Sequence, residues 1–322
     1  MSDQITDLDE LIREVDRLAG HRAWDELDRL RVNARKAFEH GHQLWPAGDW
    51  AAYRIAREAD GELAAKMVNE DAARFAFGPL TEVAASSHNW ASLEPYLDAG
   101  PARTAVFVER LLRGEKIEPP DDYSQHLEAP ARLCDWEPDY CLATYHLDRV
   151  EVPDLPLTRF AVTQLAHSDL ALGDSEACDA LERIVAHWRH QADIPVHTAA
   201  VVGNSLDAVA QLCADTNDVR IVAVDTPQAL QYLAYVGASS GVSTGRKGAA
   251  AARDAAVAAL VAVAGLDVGA SAEDIGEAAG ELRWFLWDSV KPRKGLACRI
   301  AVEDPEESLA WALDAFLPAL KK

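Results

Sequence analysis

At 322 residues the chain exceeds what one hydrophobic core usually serves, and with 49% apolar and 26% charged residues it is a packed globular chain, not a disordered or collagen-like one. Its net charge of −22 repels phosphate backbones and anionic lipid, which excludes nucleic acid and the membrane surface as general partners. Five cysteines, odd in number and without a C-x-x-C pair, point to free thiols in a reducing cytoplasm.

The first residues are acidic where a secretory leader needs cations and an apolar run, so no export signal is expected. Leu8, Leu11, Ile12, Val15, Leu18 and Ala19 keep the spacing of one helical face, and Gly20 stops that helix. Trp24, Leu27, Leu30, Ala34 and Phe38 form a second stripe that ends at Gly41, which predicts a helical hairpin. Tryptophans recur near expected helix starts at Trp24, Trp50 and Trp90, but the intervals of 26 and 40 residues are unequal. A bundle and a degenerate helical repeat therefore both stay open.

Between residues 114 and 156, Pro119, Pro120, Pro130, Pro138, Pro153 and Pro156 break any helix, and the domain seam is placed here: an all-helical domain over 1–133 and an α+β domain over 134–322. Tyr140 to Val152 has the composition of one or two strands. Ala177 to Trp188 reads as a helix, Val196 to Val202 and Arg220 to Asp225 as strands, and Asp225-Thr226-Pro227 caps a helix through Tyr235. The alanine-rich stretch Ala255 to Leu266 is too short and too weakly apolar to cross a bilayer. Leu282 to Trp287 and Leu296 to Val302 make a hairpin, after which Asp304, Pro305 and Glu307 carry the capping signals of a last helix. The fold class is thus mostly α, with a helical N-terminal domain packed on an α+β domain that holds a small sheet.

The chemistry-bearing candidates cluster late in the chain. Gly237-Ala-Ser239-Ser-Gly241 resembles, over five residues, the nucleophile elbow of the α/β-hydrolase family. The histidine that should follow is missing, because all ten histidines end at His197. The stretch continues through Ser243, Thr244, Gly245, Arg246, Lys247 and Gly248 to a helix containing Arg253. Bare amides, hydroxyls and cations there invite an anion, although the Walker spacing is not met. From Thr226 to Val302 eight cations stand against seven acids, so this region escapes the general negative charge, and Arg283, Lys291, Arg293, Lys294 and Arg299 surround the predicted hairpin. A pair at His187 and His190, with His197 or Asp193, lacks any metal-site motif, and no metal or cofactor is assigned.

The expected function is noncatalytic binding of a protein partner or a small anion. The expected anion-binding residues are Ser239, Ser240, Gly241, Ser243, Thr244, Gly245, Arg246, Lys247, Gly248 and Arg253. The alternative is an enzyme acting on a phosphorylated or carboxylate small molecule at the Gly237–Gly248 loop, with Ser239 or Thr244 as its reactive hydroxyl.

Overall fold

The structure is a computed structural model that describes residues 8–39, 44–70, 77–155, 159–166, 171–173, 175–192, 194–213, 216–239, 246–291 and 293–319. The chain is mostly helical at its N-terminal side and α+β beyond it. It divides into two compact units: residues 1–126, 142–152 and 243–250 form the first, and residues 127–141, 153–242 and 251–322 the second.

The first unit holds α1 (Leu8–Gly20), α2 (Trp24–Glu39), α3 (Trp45–Glu58), α4 (Gly61–Asn69), α5 (Leu80–Ser87), α6 (Trp90–Leu93) and α7 (Pro101–Leu112). A two-stranded antiparallel ribbon, β1 (Thr144–Tyr145) with β2 (Val150–Glu151), is added to them. The predicted stripes bury Leu11, Val15, Leu18 and Leu27. α3 packs against α1, α2, α4 and α5, the arrangement of a bundle around one central helix and not of a solenoid whose elements meet only their neighbours. Small residues make this packing close: Ala47, Ala51, Ala52 and Ala56 are fully buried along α3. Trp50 stands within that helix, stacked on Tyr53 at 5.2 Å, whereas Trp24 and Trp90 begin theirs.

The second unit is built on a six-stranded antiparallel sheet in the order β3-β5-β6-β7-β8-β4. Its strands are β3 (Ala161–Gln164), β4 (Val196–Val202), β5 (Asp218–Val224), β6 (Arg283–Ser289), β7 (Gly295–Asp304) and β8 (Leu309–Pro318). One face buries Trp284, Cys298, Ile300, Val302, Leu313 and Ala315 under α8 (Glu176–Ala192), α10 (Thr226–Ala238), α11 (Ala249–Val263) and α12 (Ala272–Glu281). The other face packs Val201, Val219, Trp287, Ala301 and Ala312 on α9 (Ser205–Leu212). α10 is capped as its sequence predicts, with the Asp225 side chain accepting from the Gln228 amide and Pro227 in the first turn.

The last helix is a correction. Residues 309–318 form β8, paired with β7 along its whole length from Asp304↔Leu309 to Gly295↔Pro318. Asp304 does accept from the Glu306 and Glu307 amides, at 2.9 and 3.1 Å, so the capping acid works, but it caps only the turn of a hairpin closed by Ser308 at φ 54°. Period-two alternation decides the outcome: Trp311, Leu313, Ala315 and Leu317 meet the helices while Ala310 and Ala312 meet α9. A terminal capping signal of about 1 kcal/mol does not outweigh that burial.

Candidate functional site

Two carboxylates stand where helical apolar faces should be. Glu82 follows Leu80 on α5 and precedes Val83, Ala84 and Ala85; Glu109 follows Val106, Phe107 and Val108 on α7. Glu82 is 0% exposed and Glu109 1%, which is costly unless each is paired.

Glu82 is well satisfied. Tyr145 donates its hydroxyl to Oε2 at 2.6 Å, and Arg246 donates Nε to Oε2 at 3.2 Å and Nη2 to Oε1 at 3.1 Å. Arg246 thus arrives from the late glycine-rich stretch into the helical unit. Gly248, at φ 88°, turns the chain there, and a Cβ on it would lie 3.1 Å from Pro79 Cγ. Two residues on, the Ala250 amide donates to Glu109 Oε1 at 2.8 Å.

Glu109 is under-satisfied. Its Oε2 is buried without a hydrogen-bond partner, and the nearest cation, Arg113 Nη2, is 3.9 Å away. Burial, and then the Glu82 charge, push its carboxyl up to about 8, against the Ala250 amide and the charges of Arg113 and Arg246. Arg246 stays a cation because Glu82 offsets the cost of its burial. Glu82 accepts three bonds and Glu109 Oε2 none, so the surroundings of Glu109 favour its neutral form.

Arg113 faces a cavity of about 310 Å³ in the same unit. Its walls are Arg57 and Glu58 of α3, Ser86 and Ser87 at the end of α5, Arg113 just beyond α7, and Thr144 and Tyr145 of β1. The ribbon that supplies the last two is held by its carbonyls: Arg113 Nη2 donates to Ala143 O at 3.1 Å, Arg57 Nε to Tyr145 O at 3.0 Å, and the Tyr53 hydroxyl to His146 O. Glu58 is matched by Arg54 and Arg57, at 2.8 and 2.9 Å. Arg113 Nε is buried with no partner.

The residues expected to bind an anion are distributed as follows. Ser240, Gly241, Ser243, Thr244 and Gly245 lie outside the described residues. Ser239 ends α10 and donates its hydroxyl to Tyr235 O at 2.8 Å, while its own carbonyl accepts from His187 and from Trp188. It follows a helix and not a strand, which is not the setting of a nucleophile elbow. Lys247 reaches solvent, yet the packing around its stem holds its ammonium below the ordinary lysine range. Arg253 belongs to the second unit, fully buried, where it grips Glu137 at 2.6 and 2.7 Å and the carbonyls of Pro130 and Arg132. There it fastens the 127–141 loop to α11, helped by Asp254, which accepts from the Glu128 and Ala129 amides.

Of the hairpin cations, Arg299 is paired with Asp288 and Asp314 and Arg283 with Glu303, while Lys291, Arg293 and Lys294 are exposed. Asp193 and the side chain of His190 lie outside the described residues. Among the described residues no group of His, Cys, Asp and Glu is arranged to hold a metal, and no helix is long and apolar enough to cross a membrane.

Sequence reasoning overlooked Glu82, Glu109, Arg57, Arg113 and Tyr145. The legible signal was an acid bordering an apolar run, twice, before Val83 to Ala85 and after Val106 to Val108. Residues 9–292 match a family of unknown function (DUF6183), and the chain belongs to that family. Neither a curated protein nor a solved structure matches it.

Proposed function

For this member of the DUF6183 family, we propose a noncatalytic role: reversible binding of a small oxyanion, a carboxylate or a phosphate, in the cavity walled by Arg57 and Arg113. The observation that carries this reading is Arg113, which lines the cavity and whose charge is not fully matched by the carboxyl 3.9 Å away. An oxyanion in the cavity would lie against the Arg113 guanidinium and complete its charge balance. Ser86 and Ser87 hydroxyls on the same wall add donors, and the volume suits a small ligand. Absence of disulfides at all five cysteines supports a reducing, cytoplasmic setting.

The competing enzyme reading, with the glycine-rich stretch as its centre, has less support. Ser239 spends its hydroxyl on Tyr235 O. Titrating the protein with inorganic phosphate, sulfate and acetate, at no more than about 10 mM so that surface exclusion does not contribute, tests the binding role by thermal stability. Saturable stabilisation that disappears in Arg113→Met is expected. Stabilisation that survives Arg113→Met, or none beyond a chloride control, would remove the cavity from consideration.

A further inference from the structure

We infer that an anion entering this cavity is bound together with a proton taken up by Glu109, with Arg113 as the link between them. The inference rests on the cavity reading above and adds a second ligand to it.

The groups around Glu109 act in both directions: burial and Glu82 favour its proton, while Arg246, Arg113 and the Ala250 amide favour its charge. From α5 comes Glu82, held by Arg246 and Tyr145; from residues 246–250 come Arg246 and the Ala250 amide; from β1 comes Tyr145; from the end of its own helix comes Arg113. Arg110, on the same helix, is turned away to Glu115 at 2.5 Å and to Ala85 O at 2.6 Å, so it adds no further counter-charge.

If Glu109 is ionised, it neutralises Arg113 from behind, and an anion on the cavity side meets a cation whose charge is already engaged. If Glu109 is protonated, the charges pair off, Glu82 with Arg246 and the anion with Arg113. The protonated form is therefore the one that binds. Reciprocity then requires that binding draw a proton onto Glu109. No covalent step is involved, and the proton comes from solvent. Glu109 already leans towards the protonated form without a ligand, because burial and Glu82 oppose its charge. An anion on Arg113 withdraws the one cation that faces its free oxygen, and pushes it further the same way.

Calorimetric titration with sulfate, which does not itself titrate in the range, from about pH 7 to about pH 9.5, reads the coupling directly. Sulfate affinity should fall by up to about tenfold per pH unit once Glu109 ionises, and above about pH 8, where the free carboxyl has lost its proton, the apparent binding enthalpy should differ between two buffers of unlike ionisation enthalpy. Glu109→Gln, a permanent mimic of the neutral acid, should bind sulfate with one affinity throughout and without buffer dependence. Binding that is strong but independent of pH and buffer in the natural protein overturns the proton link and leaves the cavity reading standing. No sulfate binding at any pH overturns both.

The buffer comparison needs no variant, so it decides the matter even where Glu109→Gln does not fold. A ligand-free measurement isolates the titration itself. The folded Glu109 carboxyl lies above its ordinary 4.5, so its stabilising share is complete below that value and is lost as pH rises towards about 8. Glu109→Gln must lack that decline; an identical pH profile in variant and natural protein would mean that Glu109 does not titrate there, which sinks the link whatever binds.

Discussion

The Tyr145 hydroxyl donates to Glu82 across 2.6 Å, and it reaches that carboxylate only because residue 78 has no side chain: a Cβ on Gly78 would sit 1.9 Å from the same oxygen. Tyr145→Phe leaves the fully buried Glu82 with one bond fewer, at a cost of about 1–3 kcal/mol. Gly78→Ala costs more than about 2 kcal/mol through overlap with the ring and hydroxyl. The penalty of Gly78→Ala is smaller when Tyr145 is already Phe, and a denaturation cycle over the four proteins measures that difference. Strict additivity would break the connection between the two residues.

Arg253 and Glu137 are buried to 0% and 1% side-chain exposure. Arg253→Met strands the carboxylate in the interior and should destabilise by about 3–5 kcal/mol. Adding Glu137→Leu should restore part of the loss, since two apolar side chains no longer require a charge to be buried. Urea unfolding midpoints compare the three proteins; a double variant no more stable than the single one contradicts the expectation.

Ser308 holds φ 54° in the β7–β8 turn. Ser308→Gly removes the Cβ penalty of that conformation and should stabilise by up to about 1 kcal/mol, net of the greater freedom of the unfolded chain. A lower melting temperature would show that the serine side chain contributes more than its backbone strain costs.

His88 has its ring Nε2 3.1 Å from Ala56 O in the helical unit. Burial lowers its pKa from 6.5, the Ala56 bond opposing. A base held below its unfolded value contributes stability that is present above pH 6.5 and lost as pH falls through the folded value. His88→Gln keeps a donor for Ala56 O without a titrating ring, so its stability should fall less than that of the natural protein on acidification from about pH 7 to about pH 5. Parallel acid profiles for the two would remove His88 as a contributor.

Much of the fold was legible where a single periodicity ran unopposed. The α1 stripe from Leu8 to Ala19, the Asp225 cap and the β6–β7 pair all follow from local pattern. It failed where two local signals competed, as at Asp304, whose capping chemistry serves a tight turn instead of a helix. The cavity was illegible for another reason. Glu82, Glu109, Arg113, Tyr145 and Arg246 are joined by bonds spanning up to 164 residues, and no local window holds more than a fragment of them. Arg246 was singled out for its charge, but the group that receives it, Glu82, is hidden in the sequence among many other acids.

Strand β4 has β8 as its only ladder partner among the named strands, although about a hundred residues separate them along the chain. During synthesis, residues 196–202 emerge long before 309–318 and stay open-edged meanwhile, a period in which chaperone capture competes with self-association. The helical unit waits too, since its buried acids at 82 and 109 gain Arg246 and the Ala250 amide only after most of the polypeptide has been made. Both units therefore mature late on the ribosome, and slow folding with high contact order is built into this connectivity.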